Sequence, residues 1–450
     1  MTAWTLVAGC AAVLALPLLW RIGHRRFDPF EPIVLFALAF GAMFVARPAS
    51  ILAGGEHRFW GVDVLPVLSR TLLLALVGAV AFVIGYELHG GKWLAARLPR
   101  PRPIDTGVAA LGALGVASVA LVALVILLPT SEGLDSLRIL LGGRSGDLSE
   151  LLKSSSDYFW YGSLLFAPAA FILVALAVRV RTVALCVAAV IVCLLALSRL
   201  APVGGRIVLL PVLGGIFVLV FLLREKRPSV LFLAALGTVA LLGSYLILHL
   251  RDPTDALTFR TAVEQLERRP HAVLDPVLHG ADAEMVLALS AALTVIPEDL
   301  SYRWGGATVG NLVTRPVPRE LWPGKPLTPG EEVVATIWPH LYPGLNPAFS
   351  PLLVLYWDLG LVGVAIGMAL FGLLARAFYE WFLLHRRSFA AQLLYAIGLW
   401  FVVIGARNDP VDTFVLGAFL IGPVLAVVAL ASERGAPARP SRQAPRGSRL

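Results

Sequence analysis

The stretch TGVAALGALGVASVALVALVILLP, residues 106–129, contains no charged side chain and decides the fold class. A helix of about 20 apolar residues crosses a hydrocarbon layer of about 30 Å, so this stretch is long enough to span a membrane. Helical structure is expected because the backbone polar groups find no water in the hydrocarbon layer. The stretch therefore predicts a transmembrane helix.

Similar apolar runs recur along the whole chain of 450 residues, of which 58% are hydrophobic and 15% are charged. A membrane β-barrel would show alternating segments of about 10 residues instead. We predict an all-α polytopic integral membrane protein with about 11 transmembrane helices. The predicted spans, with boundaries uncertain by several residues, are 2–20, 31–47, 65–87, 106–129, 158–178, 183–199, 207–223, 229–249, 351–375, 389–406 and 411–431.

The loops between these spans alternate in length and charge. Short basic loops occur on one side, such as RIGHRR at 21–26 and REKR at 224–227, and the long loops all fall on the other side. Short basic loops face the cytoplasm. We therefore predict an N-terminus outside, a cytoplasmic C-terminus and long loops on the outer face.

Four regions follow from this pattern. Residues 1–250 hold eight spans, 251–350 form a large extracytoplasmic loop, 351–431 hold three spans, and 432–450 form a basic, disordered cytoplasmic tail. The large loop is too long to lack structure of its own. It has helical spacing at 254–269, and its apolar stretch at 282–297 is too short to span, which suggests a re-entrant or interfacial helix on the outer surface.

The longest polar stretch, NLVTRPVPRELWPGKPLTPGEE at 311–332, carries Arg315, Arg319 and Lys325 beside prolines. Arginine suits bidentate contacts with phosphate and stays charged. Arg144 and Arg206 each lie in a GGR triplet. The other predicted outer arginines are Arg47, Arg58, Arg138, Arg199, Arg251, Arg260, Arg303 and Arg407. Each could instead snorkel to the interface or pair with a nearby carboxylate. As a group, they indicate an anion site.

Aromatic and titratable side chains occupy the same predicted face. Trp322 would either anchor the loop at the membrane interface or stack on a sugar ring. The candidates for proton transfer are His279, Asp282, Glu284, Glu331, Glu332, His340 and Asp409. Because no metal-ligand spacing or nucleotide-binding motif occurs, we predict neither a metal nor another cofactor.

Several segments resemble a known family. The element RPVPRELWPGKP at 315–326 resembles the PR-x-LWP-x-KP element of Wzy-type O-antigen and exopolysaccharide repeat-unit polymerases. The family's pattern has a Glu-rich stretch where this chain has Trp357 and Asp358. Weaker matches follow in the same order along the chain: FDPFEPIVLFALAF at 27–40, RP at 47–48, LLGGRSGDLSE at 140–150, YFWYGSLLFAPAAF at 158–171, GGR at 204–206, YWDLGLVGVAIGMALFGLL at 356–374 and RND at 407–409.

This resemblance implies a GT-C-like membrane glycosyltransferase in the bacterial cytoplasmic (inner) membrane. Donor and acceptor would be polyprenyl-diphosphate-linked oligosaccharides, joined on the outer face without a nucleotide sugar or a metal. Membrane lipid and a chain-length regulator are further expected partners, and nucleic acid is not one.

The resemblance and the charges together suggest roles for individual residues. Arg206, Arg315 and Arg319 would stabilise the leaving lipid diphosphate, because developing charge needs preorganised positive groups. His340 or Asp282 would take the proton of the attacking hydroxyl. The substrate-binding residues would be Arg47, Arg144, Trp322, Lys325 and Arg407.

Two other classes stay open at this point. An O-antigen ligase has a similar layout and donor but transfers to lipid A-core. A flippase or transporter is the non-enzymatic alternative. Transporters place charges and broken helices near the membrane midplane. The predicted spans are nearly free of charge and the polar residues lie outside them, which favours an enzyme.

Overall fold

The structure, a computed structural model, describes residues 2–127, 161–200, 206–250, 264, 266–278, 280, 283–317, 321–342 and 347–432. It confirms a largely helical protein of the membrane type, because eight helices in these ranges are long and apolar enough to cross a bilayer. These candidate spans are Ala3–Gly23, Pro32–Leu52, Leu65–Glu87, Thr106–Ile126, Tyr161–Val180, Pro351–His385, Phe389–Arg407 and Pro410–Ala431.

The other elements are shorter. Three apolar helices, Val183–Leu200, Arg206–Leu223 and Val230–Leu250, coincide with predicted spans. The remaining helices are Gly90–Arg97, Pro270–Leu274, Asp275–Leu278, Met285–Ala292, Gly306–Gly310, Asn311–Thr314 and Pro329–Ile337. Strands Arg58–Phe59 and Val62–Asp63 pair in an antiparallel hairpin. The predicted helix at 254–269 falls mostly outside the described residues.

The chain divides into two compact units. The first contains Met1–Leu98, Val220–Trp381 and Ile397–Ala418, and the second contains Pro99–Leu219, Phe382–Ala396 and Phe419–Leu450. In the second unit, helix Phe166–Val180 packs against its two neighbours, Thr106–Leu127 and Val183–Leu200. The candidate site residues that the structure describes belong to the first unit, except Arg206, which lies in the second.

The core of the first unit contains a close helix pair. Gly78 and Gly85 of helix Leu65–Glu87 face helix Pro351–His385, and Gly372 of the latter faces Phe82. A side chain at Gly85 would overlap the backbone carbonyl of Ala369. Small residues let the backbones of membrane helices approach closely. These glycines therefore hold the two helices together by direct backbone contact.

The predicted span at 351–375 is a broken helix. The helical assignment runs over Pro351–His385, but Leu359 and Gly360 have non-helical dihedral angles, with φ of −141° and 63°. Positive φ is readily reached only by glycine. The break lies beside Asp358, and it is the feature that positions the candidate site.

Arg47 was expected at the very end of the second span, but the helical structure continues past it. Helix Pro32–Gly41 is followed by a π-helical turn, Ala42–Ala46, and then by helix Arg47–Leu52. Pro48 is accommodated because it lies at the beginning of that last helix, where no intrahelical N–H partner is needed. Arg47 is consequently 1% exposed and lies in the core.

The apolar stretch at 282–297 also differs from expectation. The stretch forms helix Met285–Ala292, and every residue of this helix is buried. The helix packs against helix Leu65–Glu87 and the 329–337 helix. The burial contradicts an interfacial helix on the outer surface, because neighbouring segments cover every side of it, and it leaves the re-entrant alternative open.

The contacts of the first unit keep the two predicted sets of loops apart. At one end, Arg21 pairs with Glu87 at 2.8 Å, and Arg227 pairs with Asp28 at 2.8 Å. Toward the other end of helix Leu65–Glu87, Arg70 donates to the Ile296 carbonyl at 3.2 Å. Each of these contacts joins two segments that the predicted topology assigns to the same side of the membrane.

A buried ionic cluster lies at the first of these ends. Glu31 is 4% exposed and accepts two hydrogen bonds from Arg21, at 2.8 and 2.9 Å. It also accepts a hydrogen bond from the Tyr86 hydroxyl at 3.0 Å and one from Arg376 at 3.4 Å. One carboxylate thus joins the helices that begin or end at this side.

Candidate functional site

A small cleft lies beside the broken helix on the end that carries the long loops. Its volume is about 140 Å³. One wall is the helical segment 306–314, the opposite wall is the chain from Pro326 to Glu332, and Trp357 lies at the base. The lining residues are Arg303, Gly306, Ala307, Gly310, Asn311, Thr314, Pro326, Leu327, Pro329, Glu332 and Trp357.

The first wall is fixed by Asp358. Its carboxylate is 4% exposed and accepts hydrogen bonds from the backbone N–H groups of Ala307 and Thr308, at 2.8 and 3.0 Å. Carboxylates stabilise helix N-termini in this way because the first N–H groups have no intrahelical partner. The Asp358 carbonyl also accepts from the Trp304 N–H at 3.0 Å. The residue that departs from the family's pattern thus holds the wall in place.

The opposite wall begins with a capped helix. Thr328 and Glu331 form a capping box at the start of helix Pro329–Ile337. Glu332 forms an ion pair with Arg303, and their side chains are 24% and 39% exposed. The Arg303 guanidinium also lies over the Trp357 ring, 5.0 Å from its centroid. Glu331, a proton-transfer candidate, therefore caps a helix, while Glu332 lines the cleft.

The two cations of the 311–332 stretch that the structure describes both have protein partners. Arg315 forms an ion pair with Asp412 at 2.9 Å. The Lys325 ammonium donates to the backbone carbonyls of Arg315 and Val317, at 3.2 and 2.8 Å. Lys325 thus closes this proline-rich segment on itself, and Arg315 connects it to the last helix.

Asp409 occupies the beginning of that last helix. Its carboxylate accepts from the N–H groups of Val411 and Asp412, at 2.8 and 2.9 Å. Burial, together with the nearby Asp412 carboxylate, raises the pKa of Asp409 to about 7. Such a carboxyl group exchanges protons near neutral pH, which a general acid or base requires.

A second charged group surrounds Arg47. Its guanidinium donates to the Glu56 carbonyl at 3.4 Å. Burial and the charge of Glu56 raise the pKa of Glu284, against the opposing effect of Arg47. The buried Arg47 thus lies near two carboxylates, Glu56 and Glu284, as the pairing alternative predicts, whereas its burial contradicts the snorkelling alternative.

The other predicted residues have different surroundings. Trp322 and His340 are exposed, and Arg407 donates to the Asn408 side chain at 2.9 Å. Arg206 begins a helix, Arg206–Leu223, in the second unit, but its side chain is not among those described. Arg144, His279, Asp282 and Arg319 lie outside the described residues. Their assignments stay predictions.

Two residues of the site, Asn311 and Asp358, were given no role from the sequence, and Arg303 was named only as one of the predicted outer arginines. A further one, Arg70, donates to the Tyr356 hydroxyl at 2.6 Å. A lone arginine within an apolar run is itself a signal, because such a charge is costly unless it has partners.

Within the described part of the chain, no three His, Cys, Asp or Glu side chains gather as metal ligands. Comparisons with protein-family models, curated proteins and solved structures give no match.

Proposed function

We propose that this protein is a membrane glycosyltransferase that polymerises polyprenyl-diphosphate-linked oligosaccharide repeat units into a cell-surface polysaccharide. We further propose that it has a GT-C-like fold with about 11 spans, since the three shorter apolar helices coincide with predicted ones. The proposal places it in the bacterial cytoplasmic membrane with its N-terminus outside and the cleft on the outer face.

One observation carries the proposal: two segments that resemble the polymerase family meet at the cleft, and one of them contacts the helix that directly follows a third. The RPVPRELWPGKP element supplies part of the second wall, and YWDLGLV supplies Trp357 at the base and Asp358 behind the first wall. Arg315 of the proline-rich element contacts Asp412, 2.9 Å away, in the helix that directly follows RND. These segments are distant in sequence, so their meeting supports a common role.

The proposed reaction uses the charged residues near the contact between Arg315 and Asp412. A hydroxyl oxygen of the lipid-linked acceptor unit attacks the anomeric carbon of the donor chain, and the bond from that carbon to the diphosphate oxygen breaks. Arg315, with Arg407, stabilises the charge that develops on the departing lipid diphosphate. Asp409 takes the proton of the attacking hydroxyl, a role that its raised pKa supports better than the surface position of His340 does.

Deletion of the gene tests the function directly. A strain lacking the protein should make single repeat units on the polyprenyl carrier or at the cell surface and no long chains, as measured by gel profiles of the polysaccharide. Lipid-linked single units inside the cell, with none exported, would contradict the proposal and favour a transporter. Full chains that fail to reach lipid A-core would contradict it in favour of a ligase.

The raised pKa of Asp409 predicts a pH dependence of stability. Because the folded protein holds this proton more tightly than the unfolded chain does, the favourable contribution is present at low pH and disappears as the pH rises through about 7. Asparagine caps a helix about as well but cannot ionise. Asp409→Asn should therefore gain thermal stability over the wild type between pH 5 and pH 8.

A matched control is available for this measurement. Asp105 caps helix Thr106–Leu127 in the same manner, through the N–H groups of Gly107 and Val108, but its side chain is exposed. Asp105→Asn should show no comparable gain across the same pH range. Parallel melting curves of Asp409→Asn and the wild type, with a constant separation at every pH, would contradict the prediction.

A further inference from the structure

The proposed reaction uses Arg315, Arg407 and Asp409, and none of these residues is among those that line the cleft. A cavity of about 150 Å³ accommodates a benzene ring. The cleft, with its volume of about 140 Å³, therefore has room for one six-membered ring and not for a whole oligosaccharide unit.

One wall of the cleft presents bare backbone. Gly306 and Gly310 both line it from the same short π helix. Among the residues that the structure describes, no atom lies within 4 Å of a Cβ placed on Gly310, so the space in front of this residue is open. Glycine allows a ligand to approach the backbone closely. One face of a ring can therefore lie against this wall.

The neighbouring residue offers unused hydrogen-bonding groups. Asn311 lines the cleft, is 9% exposed, and its side-chain amide makes no hydrogen bond to any described residue. An amide carries an acceptor oxygen and two donor hydrogens. These amide atoms are not among the buried unpaired atoms of the described chain, so they open into the cleft and can meet a ligand there. A ligand that both donates and accepts, as a hydroxyl does, satisfies this side chain.

The charges at the cleft favour a neutral ligand. Arg303 and Glu332 form an ion pair, so their charges cancel. A phosphate here would meet the Glu332 carboxylate, and like charges at close range are costly. Neighbouring hydroxyl groups instead donate to the carboxylate and accept from the guanidinium. The pair is thus suited to a polyol.

We propose that the cleft binds one sugar ring of the acceptor repeat unit, with its hydroxyls on Asn311 and on the Arg303–Glu332 pair and its face against Gly310. The designation as acceptor rests on the proposed function, and the sugar chemistry rests on the cleft alone. The cleft also reaches Thr314, next to Arg315, and so leads toward the contact with Asp412.

Filling the cleft tests its use in polymerisation. Gly310→Ala adds a methyl group and Gly310→Leu fills the space, and neither meets another protein atom at its Cβ. Polymer formed per molecule of folded protein should fall slightly for Gly310→Ala and at least about tenfold for Gly310→Leu. Gly115→Leu, at an equally open but more exposed helix position in the other unit, should have no effect.

Binding is measured without reference to polymerisation. In a variant lacking the three native cysteines, Cys10, Cys186 and Cys193, the lining residue Leu327 is replaced by cysteine and labelled with a maleimide. Methyl glycosides of glucose, galactose, mannose and N-acetylglucosamine are tested one by one, and at least one should slow the labelling. Leu321→Cys, which is 80% exposed and does not line the cleft, should be labelled at the same rate throughout.

The outcomes separate this proposal from the proposed function. Protection of Leu327→Cys by a glycoside that is lost in Asn311→Ala supports the sugar site, even if the deletion strain still polymerises. Protection by inorganic pyrophosphate and by no glycoside overturns it in favour of an anion site. Normal polymer from Gly310→Leu, with no protection by any glycoside, overturns the sugar site and leaves the polymerase function standing.

Discussion

Replacing Gly85 by alanine should leave little folded protein in the membrane, although the change adds only a methyl group. The added carbon would overlap the carbonyl of Ala369 on the facing helix, and a backbone atom cannot move aside as a side chain can. The two helices would have to separate. Overpacking a core costs about 1–3 kcal/mol and occasionally more, and contact through backbone atoms places Gly85→Ala at the upper end.

The separation would spread to other contacts of the same helix pair. Gly372 lies similarly close to Phe82, and Gly78 fits against Leu352. A shift at Gly85 loosens both, so the loss is not confined to one site. A total stability of about 5–15 kcal/mol for a typical folded protein leaves little room for such a loss.

The measurement is the amount of monodisperse protein after extraction in mild detergent, together with its thermal midpoint. Gly237→Ala is the matched control, because a Cβ there has no atom within 4 Å and the residue also lies within an apolar helix. It should be neutral or stabilising by about 0.5–1 kcal/mol, since alanine favours helix over glycine. Equal yields of Gly85→Ala and the wild type would show that the helices do not pack as described.

Glu31→Gln should also be strongly destabilising, for an electrostatic reason. The Glu31 carboxylate lies between Arg21 and Arg376, which are 6% and 18% exposed at their side chains. Glutamine keeps the size but removes the charge, so Arg21 keeps only Glu87 and Arg376 keeps only Glu380 as an anionic partner. Removing one partner of a buried ion pair costs about 3–5 kcal/mol where the remaining charge is left uncompensated, and these second partners place Glu31→Gln at the lower end of that range.

The control for this prediction is an exposed ion pair on the same unit. Glu298 lies 3.6 Å from Arg70, and its side chain is 62% exposed. Exposed pairs contribute about 0–1 kcal/mol, so Glu298→Gln should leave the thermal midpoint nearly unchanged. If both variants melted together with the wild type, the cluster around Glu31 would contribute no more than a surface pair.

The helices were predictable because each one depends on its own composition. An apolar run such as residues 106–129 must form a helix wherever it lies in a bilayer. The break at Leu359 and Gly360 was not predictable, because one acid in an otherwise apolar run does not specify a break and Asp358 is held by a separate segment, at Ala307 and Thr308. The buried position of Met285–Ala292 likewise depends on what covers it.

The candidate site, like the helices, was predictable from the sequence only in part. That the proline-rich element carries cations was evident from the sequence, but the partner of Arg315 is 97 residues away at Asp412. Asp358 and Ala307, which together fix the first wall, are 51 residues apart. Composition and spacing do not specify such pairs. The residues that line the cleft could therefore not be chosen from the sequence, although the segments that supply several of them could.

The hydrogen bonds of Arg70 have a consequence for helix Met285–Ala292, which ends inside the core. The last carbonyls of any helix have no intrahelical partner and carry the negative end of its macrodipole. Arg70 donates to the carbonyls of Leu293 and Ile296, just beyond that end, at 3.4 and 3.2 Å. The carbonyls of Leu289, Ala291 and Ala292 accept from the N–H groups of the next turn, so Arg70 pairs the carbonyls of that turn and adds the opposite charge. The chain can accordingly end this helix inside the core and turn back without leaving those carbonyls unpaired.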